Sequence, residues 1–87
     1  MNKAKEFVWE KYHIPPDVMG MERICITGNR EIYIENYKTV VQYSPTEVVL
    51  LTETGLLHIC GKGITIGLLC KNELLIKGVF EKIYYEI

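Results

Sequence analysis

The chain has 87 residues, ten Lys plus Arg against eleven Asp plus Glu, and a formal charge of −1. That length fits one small domain that buries only about 60–65 % of its unfolded surface, leaving little room for an enzyme cleft. No run of Lys and Arg occurs, so the electrostatic basis of nucleic-acid binding is missing.

Three cysteines, Cys25, Cys60 and Cys70, are odd in number and form no C-x-x-C pair. This favours free thiols in a reducing, cytoplasmic compartment over a disulfide-stapled secreted scaffold. Residues 1–7 are charged and lack the apolar stretch of an export signal behind them. The longest apolar runs, Val48 to Leu51 and Ile64 to Leu69, fall far short of the roughly 20 residues that span a bilayer, so no membrane insertion is expected.

Ala4, Val8 and Tyr12 recur at helical spacing with Phe7 beside them, which predicts a short amphipathic helix over residues 2–12. His13-Ile14-Pro15-Pro16-Asp17 ends it, because proline lacks an amide donor and excludes the helical region for the residue before it. Residues 1–22 thus form a helix and connector, and residues 23–87 a mainly β domain.

Within that domain the punctuation predicts seven or eight strands: 23–27, 31–35, 39–43, 47–52, 56–60, 64–69, 73–78 and 81–86. Short connections, among them Gly28-Asn29-Arg30 and Gly61-Lys62-Gly63, predict hairpins and therefore an antiparallel meander. A roll, open barrel or small sandwich is expected. The echo of Thr27-Gly28 in Thr54-Gly55 makes a β-solenoid-like stack the lesser alternative.

Alternation marks the faces. Ile24, Ile26, Ile32 and Ile34 alternate with polar or half-polar neighbours, as in a sheet with one wet face. The middle strands are apolar on both faces, through Val48-Val49-Leu50-Leu51, Leu56-Leu57 with Ile59, and Ile64 with Ile66, Leu68 and Leu69. A second covering layer is needed, from the N-terminal helix, the folded-over remainder of the sheet or another subunit, and with few elements in so short a chain self-association or a protein partner is expected.

Few constellations suggest chemistry. His58 and Cys60 lie two apart on one predicted strand and share a face, where Cys25 or Cys70 would have to join them for a thiol or metal site. Free cysteine is more often simply buried, so this rival, a small thiol- or metal-dependent enzyme, is the weaker reading. Glu31 and Glu35 share a strand face at about 13 Å, too far apart for paired carboxylate catalysis. Gly61-Lys62-Gly63 lacks the following helix that makes a glycine-rich turn bind phosphate. Tyr33, Tyr37, Tyr43, Tyr84 and Tyr85 would stack on single-stranded nucleic acid only beside a basic groove, and cross-strand pairing or protein contact suits them better.

The string Ile24-Cys25-Ile26-Thr27-Gly28, then Ile32-Tyr33-Ile34-Glu35-Asn36-Tyr37 and Val40-Val41-Gln42-Tyr43, resembles the YabP/YqfC family of sporulation proteins, in particular its YqfC branch. Pro15-Pro16-Asp17-Val18, Gly55-Leu56-Leu57-His58-Ile59, Gly61-Lys62 and Glu73-Leu74-Leu75-Ile76-Lys77-Gly78 extend the likeness from about residue 14 to the last. Tyr37-Lys38-Thr39 departs from it where the family pattern would place a turn glycine, and Cys60 and Cys70 are not part of that pattern. The resemblance implies a non-catalytic role in endospore formation on the cytoplasmic, mother-cell side, peripheral to the membrane around the forespore. It also implies a membrane-associated partner of YqfD type, alongside self-association. No cofactor, metal, catalytic residue or nucleic-acid ligand is expected. Tyr33, Glu35, Asn36 and Tyr37 are the candidates for partner contact or for shaping a turn.

Overall fold

The computed structural model describes residues 20–87; the expected helix over 2–12 and its connector lie outside the described residues. Six strands follow in order: β1 (Arg23–Thr27), β2 (Glu31–Glu35), β3 (Thr39–Tyr43), β4 (Glu47–Leu51), β5 (Leu56–Cys70) and β6 (Glu73–Glu86). They form one antiparallel sheet in the order β1-β2-β6-β5-β4-β3, and no helix occurs among the described residues. The fold is mainly β, as the sequence predicts.

Among the described residues the strand count is corrected to six. Segments 56–60 and 64–69 are one strand of fifteen residues, and 73–78 and 81–86 are one of fourteen. Gly61-Lys62-Gly63 is therefore not a hairpin turn. It lies inside β5, where the register with β6 slips between Cys60 and Gly61 and again between Lys62 and Thr65. Bulges of this kind bend a strand without ending it, which local composition does not distinguish from a turn. Gly61 is forced by crowding, since a Cβ there would lie 2.3 Å from the Val79 carbonyl oxygen.

The expected meander also breaks once. β2 pairs with β6, and β3 starts a separate hairpin with β4 on the far side of β5. The residues between them explain the departure: Asn36 turns the chain with φ of 63°, and Tyr37 is drawn into the core at 5 % exposure. Asparagine tolerates the left-handed region better than most residues, so no glycine is needed at this turn.

The β5–β6 hairpin is the spine. Near the start of β5 and the end of β6, the β3–β4 hairpin adds on the β5 side; near the opposite end, the β1–β2 hairpin adds on the β6 side. Each added hairpin anchors its tip at the bend. The amides of Gly61 and Ile64 donate to Thr46 and Pro45 at 3.0 and 2.9 Å, and those of Gly78 and Phe80 donate to Arg30 and Asn29 at 3.0 and 2.8 Å.

Bending at the glycines lets the two halves share one core. Ile32 and Ile34 of β2, Val48 and Leu50 of β4, Leu57, Ile59 and Ile64 of β5 and Leu74 and Ile76 of β6 form a single buried cluster. β2 and β4 are not neighbours in the sheet, so the sheet must fold over itself to bring them together. Tyr85, near the end of β6, hydrogen-bonds to Glu22, which precedes β1. Among the described residues strands β1 and β3 are the edges of the sheet, which is open rather than a closed barrel. The antiparallel sheet also displaces the solenoid alternative: Thr27-Gly28 and Thr54-Gly55 belong to the turns of two ordinary hairpins.

Candidate functional site

Residues paired across neighbouring strands project to the same face, so the register lines up rows of side chains. On the outer face of the half that holds β1 and β2, one row runs Cys25, Tyr33, Leu75, Leu68. Charged and polar residues flank it: Arg23, Glu35 and Glu73, in a row that ends at Cys70, on one side, and Thr27, Glu31, Lys77 and Thr65 on the other. Cys25 is exposed, Tyr33 and Leu75 are half-buried, and Leu68 keeps 41 % of its surface exposed. Arg23, Ile24, Cys25, Tyr33 and Glu35 line a hollow of about 350 Å³ at the β1 end of this surface.

An apolar row within a polar rim is the anatomy of a protein contact surface. The Tyr33 hydroxyl donates to the Glu73 carboxylate. That bond, with a smaller contribution from burial and the nearby Glu35, pushes the phenol up to about 12, so it remains a neutral donor rather than an acid–base group. Elsewhere a hollow of about 160 Å³ lies beside Phe80, Ile26, Ile32 and Ile83, below the roughly 300–1,000 Å³ of ordinary small-molecule sites.

The four residues singled out in the sequence separate into two pairs. Tyr33 and Glu35 share the outer face. Asn36 makes the turn, its amide donating to the Asn72 carbonyl at 2.8 Å and its Nδ2 to the Met21 carbonyl at 3.4 Å. The Tyr37 ring is in the core, and its hydroxyl donates to the Cys70 carbonyl at 3.0 Å. Cys25, Leu68 and Leu75 are the members of the surface that sequence reasoning missed. The two-sided apolar pattern of 64–69 carried part of the signal, but the register that joins these three residues to Tyr33 is not local.

The histidine–cysteine pair falls on the outer face of the other half. His58 Nδ1 lies 3.0 Å from Glu47 Oε2 and its Nε2 lies 2.8 Å from Glu86 Oε1. Its ring stacks on Tyr84 with centroids 4.7 Å apart and planes 2° from parallel. The bonds to Glu47 and then Glu86 hold the imidazole above its ordinary pKa, against the opposing effect of burial. Cys60 Sγ sits 3.8 Å from Glu47 Oε2, and burial followed by the Glu47 charge pushes this thiol up, which starves it of the reactive thiolate. Cys25 is on edge strand β1 and Cys70 is ten residues beyond Cys60, so neither joins the pair. Among the described residues no group of three His, Cys, Asp or Glu is arranged to hold a metal ion.

The tyrosines are dispersed as well. Tyr43 donates to the Ile64 carbonyl at 2.9 Å, so with Tyr37 it satisfies carbonyls of β5 beyond the reach of β4. Tyr33 and Tyr85 each hydrogen-bond a glutamate, which makes their surroundings acidic rather than suited to phosphate. No helix among the described residues is long and apolar enough to cross a membrane.

The model of the YabP family matches residues 19–87, which takes in every strand of the sheet. The chain is also 34 % identical over 85 residues to the uncharacterized protein YqfC of Bacillus subtilis (strain 168), covering 97 % of this chain and 91 % of that protein. The family match spans the glycine bends, the Tyr33-Ile34-Glu35-Asn36 segment and the whole outer row. The chain therefore belongs to the YabP/YqfC family.

Proposed function

We propose that this is a non-catalytic protein of endospore formation that acts through protein contacts in the mother cell, at the cytoplasmic side of the membrane around the forespore. The observation that carries the contact reading is the apolar row Cys25, Tyr33, Leu75, Leu68 inside its polar rim. Family membership and the implied association with sporulation supply the biological setting. A membrane-associated protein of YqfD type is the partner we assign to the surface. Self-association is the second reading, favoured by Glu31 and Lys77 lying opposite each other in one flanking row, which lets two copies related by a two-fold axis pair them.

A fluorescent fusion imaged in sporulating cells, together with heat-resistant spore counts after deletion, tests the setting. Signal gathered around the forespore and fewer resistant spores are the expected results. Diffuse signal with normal spore counts would remove the functional reading while leaving the fold unchanged. Size measurement of the purified protein then separates the two contact readings: a dimer supports self-association, and a monomer that is recovered with the membrane protein supports the other.

A further inference from the structure

We propose that Glu47, His58 and Glu86 form a proton-operated clip that fastens the C-terminal end of β6 across β5 to β4. The three residues come from three adjacent strands, with the imidazole central and a carboxylate at each ring nitrogen. When His58 is protonated, Nδ1–H donates to Glu47 at 3.0 Å and Nε2–H donates to Glu86 at 2.8 Å. Both bonds are then charge-assisted. A neutral imidazole has only one N–H, so on deprotonation one carboxylate must face a ring lone pair.

Glu86 is the arm that releases. Its side chain is 63 % exposed, whereas that of Glu47 is 30 % exposed and also lies against Cys60. The remaining groups are accounted for strand by strand among the described residues. From β4 the facing charge is Glu47; from β5 the Cys60 thiol is nearby and neutral. From β6, Tyr84 stacks on the ring, Glu86 closes it, and the Lys82 ammonium lies 5.2 Å from the Tyr84 centroid. Two carboxylates against one lysine leave the environment in favour of the charged ring. His58 itself keeps only 15 % of its side-chain surface exposed, so water does not easily replace a lost partner.

The direction with pH follows. In the unfolded chain His58 gives up its proton near about pH 6.5, and in the folded chain it does so at higher pH. The clip's contribution is complete below about pH 6.5 and is lost as pH rises through the folded midpoint.

Ring-proton NMR of His58 from about pH 5 to about pH 9 tests the clip in the full chain, with Glu86→Gln and His58→Gln as variants. The wild-type midpoint is expected above about 6.5 and nearer that value in Glu86→Gln. Amide exchange near Tyr84 and Glu86 is expected to accelerate above the midpoint relative to Ile76 of the same strand, and His58→Gln should lose that pH-dependent change. Should His58→Gln fold poorly, the comparison of Glu86→Gln with wild type remains sufficient. A midpoint at or below about 6.5, an identical midpoint in Glu86→Gln, or parallel exchange of both ends of β6 at every pH would overturn the proposal.

Discussion

Tyr37 shows how one side chain serves both packing and polar satisfaction. Its ring fills the core between the end of β2 and the start of β3, and its hydroxyl supplies the Cys70 carbonyl with a donor. Tyr37→Phe keeps the ring and orphans the carbonyl, so it is expected to cost about 1 kcal/mol, read as a lower urea midpoint with unchanged slope. The position also marks a limit of sequence reading. A tyrosine beside Lys38 in a short polar connection looks like a surface residue, because a buried loop residue is rare and only the crossover from β2 to β3 brings it inside. Asn36 was more legible, since an Asn at the end of an alternating strand is a turn former by its own backbone preference. The roles of Ile32 and Ile34 were legible for the same local reason: strict alternation puts them on one face, and both are fully buried.

At the scale of elements, the two long strands depend on the glycines that bend them. Gly61 and Gly28 make a controlled comparison. A methyl group on Gly61 meets the Val79 carbonyl at 2.3 Å, whereas one on Gly28 meets nothing within 4 Å and is opposed only by its φ of 55°. Gly61→Ala is expected to destabilise by about 1–3 kcal/mol through backbone displacement at the bend. Gly28→Ala should cost about 1 kcal/mol from left-handed strain alone. Thermal unfolding of the two variants in parallel checks the order; equal losses would show that the bend at Gly61 is not tightly closed. Nearly every strand boundary before this point is written in the local pattern, and the first four strands follow it within a residue. Beyond Cys60 the pattern misleads, because a glycine that closes a hairpin and a glycine that lets a strand bulge look alike until the partner strand is known.

At the scale of the whole molecule, folding one open sheet over itself gives an 87-residue chain a single shared core and two outer faces of different character. One face carries the His58 clip, whose partners saturate it with internal bonds. The other carries the apolar row that ends at Leu68, where β4 no longer borders β5. Ile66 and Leu69, 38 % and 57 % exposed on the same stretch of strand, pair with the core residues Ile76 and Leu74 and so belong to the opposite face. The sequence made Leu68 visible as apolar surplus, yet not as part of a surface, because Tyr33 and Cys25 of the same row come from strands more than thirty residues earlier. The most direct test of the contact reading is the heat-resistant spore count in cells whose only copy carries Leu68→Asp at wild-type protein levels. A charge at the β5 end of the apolar row should abolish partner binding while sparing the core, so the count is predicted to fall to that of the deletion strain. Spore counts equal to wild type, in a background where deletion itself is deficient, would contradict the assignment of this face as the functional surface.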